Sequence, residues 1–114
     1  MADPRRALGA DGEARAAAWY AARGYEVVTR NWRCRDGELD LVVRKGAELV
    51  FVEVKTRTTD RFGIPAEAVT PTKQRRLRGL AIRYLADTGA SAPRLRFDVV
   101  AILGGRLEVI EAAF

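Results

Sequence analysis

Acidic and basic side chains interrupt two neighbouring segments whose other residues are mostly apolar. Residues Gly37–Val43 and Glu48–Lys55 are rich in Val and Leu, and the Gly-containing turn between them predicts a β-hairpin. The charged positions on the two segments are Glu38, Asp40, Glu53 and Lys55. Alternate residues of a strand share a face, so pairing of the strands brings three carboxylates and one ammonium together at one end of the hairpin.

Such a set of groups is suited to metal-assisted phosphate chemistry. Asp40 followed by Glu53-Val54-Lys55 matches the acid…(Asp/Glu)-x-Lys pattern of metal-dependent nucleases. Mg²⁺ and Mn²⁺ prefer oxygen ligands, which Asp40 and Glu53 supply on adjacent strands, with the Val54 carbonyl as a third. Lys55 follows Glu53 on the same face, where its ammonium could activate a water or neutralise charge on a phosphate.

Two further acids extend this predicted site, and each also has a plainer interpretation. Glu38 could be an outer ligand or hold a metal-bound water. Glu13 could approach from the first helix and either hydrogen-bond a group that binds the metal or bind a second metal ion. An acid early in a helix also stabilises the helix dipole. Likewise, Lys55 could form an ordinary cross-strand salt bridge with Asp40 or Glu38. The excess of acids over lysine and the apolar strand before Glu53 favour the metal site.

The elements that must position these residues follow from local pattern. An Ala-rich segment, Ala7–Arg23, predicts a helix ending at Gly24. Its predicted buried stripe, with Trp19 or Tyr20 at the margin, is Leu8, Ala14, Ala17, Ala18, Ala21 and Ala22. Thr70 and Pro71 have the residue types of an N-cap and N1 position, and they open a second helix that ends near Asp87–Gly89. Its apolar face is Leu77, Leu80, Ala81, Tyr84 and Leu85.

Three more segments complete the predicted sheet. They are a first strand, Tyr25–Arg30, an almost continuously apolar strand, Arg96–Leu103, and an edge strand, Arg106–Glu111. The element order α-β-β-β-α-β-β predicts an α/β fold with a mixed central sheet, in which a right-handed crossover lays Arg96–Leu103 parallel to Glu48–Lys55. No linker or repeat divides the chain, so residues 1–114 are predicted to form one domain.

Basic residues near the predicted site are candidates for binding a nucleic-acid backbone. They are Arg57, in a polar loop predicted over Thr56–Pro65, and Lys73, Arg75 and Arg76 on the second helix. A basic helix can bind phosphates, although a run of charge is also the ordinary composition of a solvated face.

The bulk composition agrees with an anionic partner and with a soluble protein. The 114-residue chain carries a net charge of +5, is 48% hydrophobic and 31% charged, and contains one cysteine and no histidine. An internal disulfide and a Cys/His metal site are therefore excluded, and the charge favours nucleic acid. The N-terminal residues lack the apolar run of a signal peptide, and no segment is long enough to span a bilayer, so we expect a cytoplasmic protein without a membrane partner.

Several linked motifs, taken in order, resemble the YraN-like family of small bacterial proteins. They are Gly12-Glu13, Gly24-Tyr25, Arg30-Asn31, Gly37–Leu41, Phe51–Arg57 and Arg96–Val100. The resemblance implies a restriction-endonuclease-like fold, a three-layer α/β/α core similar to that of archaeal Holliday junction resolvases. It further implies a PD-(D/E)xK site with Asp40, Glu53 and Lys55 in the signature positions, Glu13 as the helix acid, and a homodimer.

Two positions depart from the wider nuclease pattern. Leu39 replaces the proline of the PD signature, and Gln74 is followed by Arg78 where a Gln-x-x-x-Tyr motif would have tyrosine. The sequence thus predicts a Mg²⁺- or Mn²⁺-dependent deoxyribonuclease acting on branched or structured DNA in repair or recombination. The alternatives are a non-catalytic nucleic-acid-binding or adaptor module, and a structural domain whose acids pair with arginines.

Overall fold

The computed structural model describes residues 4–57 and 69–114, with side chains described from residue 11 onwards. Two helices, α1 (Pro4–Ala22) and α2 (Pro71–Thr88), accompany five strands. The strands are β1 (Glu26–Cys34), β2 (Gly37–Lys45), β3 (Glu48–Arg57), β4 (Arg94–Leu103) and β5 (Arg106–Ile110). The predicted α/β class with a mixed sheet is confirmed.

All five strands form one sheet in the order β1-β2-β3-β4-β5. Neighbours β1 to β3 pair antiparallel as a meander, while β3 and β4 pair parallel, with Glu48 opposite Arg94 and Arg57 opposite Leu103. Helix α2 provides the crossover that a parallel pair requires, so the predicted parallel pairing is confirmed. Strand β5 pairs antiparallel with β4 at the edge of the sheet, as predicted.

The two helices cover opposite faces of this sheet and give the protein two cores. One core joins α1 residues such as Tyr20 to Leu41, Val43 and Val50. The other joins α2 to a different set of strand residues, including Val42 and Phe51. Strand side chains alternate between these cores, which is why the central strands are apolar at nearly every position.

The predicted buried stripe of α1 is wrong apart from Ala17. Ala14, Ala18, Ala21 and Ala22 are exposed, whereas Ala16 and Tyr20 have no exposed surface. Leu8 lies outside the described side chains. Alanines on every side give the helix little hydrophobic contrast, so its largest anchor and its closest contact fix which face is buried. Tyr20 is the anchor. The closest contact is Gly12, where an added Cβ would overlap Thr56 Oγ1 of β3.

Tyr20 is held by a buried charge network that ties α1 to β4. Asp98 is 1% exposed. One of its carboxylate oxygens accepts from the Tyr20 hydroxyl at 2.7 Å, and the other accepts from Arg96 Nε at 2.8 Å and from the Ala112 amide at 3.0 Å. Desolvation and the neighbouring Asp98 raise the pKa of Tyr20, so its hydroxyl remains a donor. Asp98 therefore has a structural role.

Helix α2 follows its sequence signals closely. Thr70 is the N-cap and accepts a hydrogen bond from the Lys73 amide, Pro71 lies at the first turn, and Gly89 closes the helix in the left-handed conformation. The buried residues of α2 are Leu77, Leu80, Ala81 and Tyr84, all predicted. These local signals fix where the N-terminal turn of α2 lies beside the sheet.

The loop predicted over Thr56–Pro65 begins later than expected. Thr56 and Arg57 still belong to β3, where they pair with Ile102 and Leu103. Residues 58–65 of that predicted loop lie outside the described residues. Neither helix within the described ranges combines the length and the apolarity needed to cross a bilayer.

Candidate functional site

Strands β2 and β3 separate at the point where their acidic residues lie. Their ladder runs from Lys45 opposite Glu48 to Leu41 opposite Val52 and ends there. Two residues beyond Val52, the Val54 amide donates its hydrogen bond to Asp40 Oδ2 at 2.9 Å. A side-chain carboxylate thus takes the place of a backbone partner, and the two strands diverge around it.

A polar cavity of about 250 Å³ lies at this divergence. It is lined by Glu38, Asp40, Glu53, Val54, Lys55, Lys73, Arg76 and Leu77. The strands supply the acids and Lys55, and α2 supplies Lys73, Arg76 and Leu77. The four charged residues singled out on the predicted hairpin therefore meet in one cavity, and two of the predicted phosphate-binding residues join them.

Glu13 adds its carboxylate to this cluster from α1. One oxygen each from Glu13, Glu38 and Asp40 lies within 4.8 Å of the others. The close approach at Gly12 brings this turn of α1 against β3, and Asn31 hydrogen-bonds the Glu13 side chain. Three carboxylate oxygens this close have the separation expected of ligands on one hard cation.

The electrostatics of Asp40 show a carboxyl group in an unfavourable place for a charge. Burial raises the pKa of Asp40 to about 7, and the charges of Glu53, Glu13 and Glu38 add to the shift, whereas the Val54 amide opposes it. Burial also raises the pKa of Glu13, against the hydrogen bond from Asn31. A positive ion at this cluster would favour the charged carboxylates against both burial and their mutual repulsion.

Glu53 lies outside the cluster of three and has two ammonium partners. Its Oε1 is 3.2 Å from Lys73 Nζ and 3.6 Å from Lys55 Nζ, and the Glu53 side chain is only 9% exposed. Lys55 is therefore beside Glu53, as the strand alternation requires. The ion pair with Lys73 joins β3 to α2. Because α2 is distant in the sequence, the spacing of residues along the strand does not predict this pair.

The remaining predicted nucleic-acid residues fall into two groups. Lys73 and Arg76 line the cavity, but Arg57 and Arg75 are not among the described residues around it. Arg75 Nη2 lies 3.4 Å from the Thr72 hydroxyl on the exposed face of α2. Arg76 lies against Gly37, where a Cβ would come 3.3 Å from Arg76 Nη2, so the absence of a side chain at Gly37 leaves room for the guanidinium.

Two residues at the site were not assigned a role from the sequence. Asn31 has a φ of 55° within β1, a conformation that Asn tolerates better than most residues, and it hydrogen-bonds Glu13. Arg33 pairs with Glu38 at 2.9 Å across the β1–β2 hairpin. Their signals were an Asn in an otherwise β-prone run and a basic residue two positions later, neither of which is specific without the structure.

The donor set fits a hard divalent cation. Every ligand candidate is an oxygen, from a carboxylate or from the Val54 carbonyl, which suits Mg²⁺ or Mn²⁺ and does not suit ions that prefer sulfur or imidazole. Three cationic side chains, Lys55, Lys73 and Arg76, line the same cavity as Glu38, Asp40 and Glu53. The cavity therefore places oxygen donors of the kind that bind a hard cation beside cationic side chains of the kind that bind phosphate.

Comparison with known proteins identifies a family over most of the chain. The model of uncharacterised protein family UPF0102 matches residues 12–102. A UPF0102 protein of Beutenbergia cavernae is 60% identical over 100 residues, which cover 88% of this chain and 85% of the relative. One of Rhodococcus jostii is 57% identical over 99 residues, covering 87% and 84%. One of Moorella thermoacetica is 46% identical over 120 aligned positions, spanning both chains in full.

Proposed function

The chain belongs to uncharacterised protein family UPF0102, as the YraN-like motifs led us to expect, and from the site it carries we propose that it is a divalent-metal-dependent deoxyribonuclease. The proposed reaction is hydrolysis of DNA phosphodiesters, with branched or structured DNA in repair or recombination as the substrate class. The proposal includes a restriction-endonuclease-like, PD-(D/E)xK core. The α/β/α layers and the mixed sheet are compatible with such a core.

One observation carries this proposal. The partly buried Asp40 carboxylate, whose pKa is raised to about 7, shares a polar cavity with other acids and the Lys55 ammonium. A structural salt bridge would lower the pKa of its acid, because an adjacent positive charge favours the ionised form. The raised pKa of Asp40 instead reflects burial and neighbouring carboxylates, a combination that is common at functional sites.

Some of these residues would hold a cation, and others would neutralise negative charge on the phosphate. Asp40 and Glu53 would hold Mg²⁺ or Mn²⁺, with the Val54 carbonyl, Glu38 and Glu13 as further oxygen donors near them. When bound, such an ion polarises phosphate oxygens and lowers the pKa of a water nucleophile. The hydrogen bond from the Val54 amide fixes the orientation of the Asp40 carboxylate. This metal-binding group is therefore already ordered before the ion binds.

Lys55 would act on the reacting phosphate. The Lys55 Nζ lies 3.6 Å from Glu53 Oε1, so Glu53 holds the ammonium beside the cavity. Because the Lys55 side chain is 32% exposed, the ammonium can extend into the cavity. There it would neutralise negative charge that grows on the phosphate oxygens as the water attacks. Arg76 would bind a neighbouring phosphate and orient the strand.

Cleavage of a labelled DNA panel tests the proposal. Single-stranded, duplex, flap and four-way-junction DNA are incubated with the protein in Mg²⁺, Mn²⁺ or EDTA, beside Glu53→Ala and Lys55→Ala proteins. Glu26→Gln, which changes an exposed acid at the start of β1, is the matched control. We expect metal-dependent cleavage that both site variants lose and the control retains.

Two other outcomes would redirect the assignment. Binding to DNA without cleavage on every substrate would favour the non-catalytic nucleic-acid-binding module. Neither binding nor any thermal stabilisation by Mn²⁺ would favour a structural domain. The proposed homodimer, which would present two such cavities to two strands, is tested separately by measuring the mass of the protein in solution with and without junction DNA.

A further inference from the structure

Lys73 lies inside the site, and its ammonium is closer to the Glu53 carboxylate than that of Lys55. The Lys73 Nζ–Glu53 Oε1 distance is 3.2 Å, shorter than the 3.6 Å from Lys55 Nζ to the same oxygen. The Lys73 side chain is 21% exposed and lines the acidic cavity. It is therefore unlike the solvated basic residues on the outer face of α2, such as Arg75.

The position of Lys73 is fixed by the start of α2. Its amide donates to Thr70 Oγ1 at 3.2 Å, and Pro71 opens the same turn. The backbone of Lys73 is thus anchored at an N-cap, while its four-carbon side chain keeps its freedom to move the ammonium. A change of rotamer can move this charge without any movement of the helix.

The Glu53 oxygen that pairs with Lys73 cannot keep this ion pair while it also binds a divalent cation. A buried carboxylate needs a positive partner, and in the metal-free protein the two lysines provide it. A cation that binds through Glu53 brings two positive charges to the oxygen that Lys73 contacts, and like charges at such a distance repel strongly in a partly buried site. The Lys73 ammonium is then available to the cavity, which Arg76 also lines.

We propose that Lys73 is a positioning residue that holds Glu53 in the metal-free protein and moves to a nucleic-acid phosphate when a divalent cation takes its place. This inference rests on the proposed metal-dependent nuclease function and adds a coupling between its two ligands. Because the same ammonium opposes the cation and favours the phosphate, each ligand strengthens the binding of the other, and the coupling is reciprocal.

The first test measures Mn²⁺ affinity in the absence of DNA. Calorimetric titration compares the unmodified protein with Lys73→Met, Lys73→Arg and Arg78→Met. The last variant removes one positive charge from an exposed residue further along α2 and controls for net charge. We expect Lys73→Met to bind Mn²⁺ about tenfold more tightly, because removal of a charge beside a bound cation is an effect of this order. The other two variants should match the unmodified protein.

The second test measures the coupling itself. Binding of a short labelled duplex is compared with and without Ca²⁺, a hard cation that takes the same kind of oxygen ligands. The affinity gain on adding Ca²⁺ should be clear in the unmodified protein and reduced severalfold in Lys73→Met. A lysine that only stabilised the fold would lower the melting temperature on substitution and would not raise metal affinity.

The outcomes separate this inference from the function on which it rests. Mn²⁺ binding by the unmodified protein that is unchanged or weaker in Lys73→Met overturns the role of Lys73 and leaves the metal site intact. Failure of the unmodified protein to bind Mn²⁺ overturns the metal site and this inference with it. Should Lys73→Met fail to fold, Lys73→Gln replaces it in both tests with the same expected direction.

Discussion

Replacing Asp40 with Asn should make the metal-free protein more stable. The folded protein raises the pKa of Asp40 from 3.8 to about 7, and each pKa unit corresponds to about 1.4 kcal/mol. The charged carboxylate therefore costs the folded state about 4 kcal/mol once it is fully ionised. Asn removes the charge and keeps an oxygen that can accept the hydrogen bond from the Val54 amide.

The sign of the pH dependence follows from the direction of the shift. Because the folded pKa is above the unfolded value, the carboxyl group contributes stability below about pH 4 and loses it as the pH rises through about 7. Asn has no such titration. The advantage of Asp40→Asn should therefore be larger at about pH 8 than at about pH 5, by about 2 to 3 kcal/mol.

Thermal or urea unfolding in EDTA measures this difference. For a chain of this size, about 2 to 3 kcal/mol corresponds to a shift of roughly 8 to 12 °C in melting temperature. Glu26→Gln should show no comparable dependence on pH. Added Mn²⁺ should stabilise the unmodified protein and not Asp40→Asn, because only a ligand that binds the folded state raises its stability. A variant that is less stable at the higher pH, or whose advantage is independent of pH, would refute the reasoning.

Three further predictions concern other parts of the structure. Asp98→Asn should cost about 3 kcal/mol or more in urea unfolding, because it leaves Arg96 without its buried partner, whereas the exposed Glu111→Gln should stay within about 0.5 kcal/mol. Gly12→Ala would ordinarily stabilise a helix by about 1 kcal/mol, but the overlap with Thr56 should make it destabilising by about 1 to 3 kcal/mol. In a Thr56→Ala background the sign should reverse. Lys55→Met should retain Mn²⁺ binding in calorimetry and lose cleavage by about a hundredfold or more; loss of both would contradict a role on the phosphate alone.

Local signals predicted those elements whose ends and faces depend on neighbouring residues. Thr70, Pro71 and Gly89 fix where α2 begins and ends, and its apolar spacing is unambiguous, so the face of α2 was predicted correctly. In α1 the same method failed, because alanines on all sides leave the phase to Gly12 and Tyr20, whose partners lie on distant strands.

In the candidate site, too, the contacts within one strand could be predicted from the sequence, whereas the contacts between elements could not. Strand alternation was enough to predict that Glu53 and Lys55 lie side by side. The pairing of Lys73 with Glu53 depends on how α2 crosses the sheet, and the cluster of Glu13 with Asp40 depends on how closely α1 packs. Both are distances between elements, which residue spacing along the chain does not contain.

The divergence of β2 and β3 links the fold of this protein to its proposed chemistry. The Val54 amide could have continued the ladder to β2, but it bonds the Asp40 side chain. The sheet therefore opens where the acids lie, and the opening admits Lys73 from α2. The interrupted ladder and the clustered acids make the metal-free protein less stable than a closed hairpin with neutral side chains would be. A chain of 114 residues has only a modest stability reserve, so we expect the bound cation to restore the stability that this open, acidic arrangement gives up.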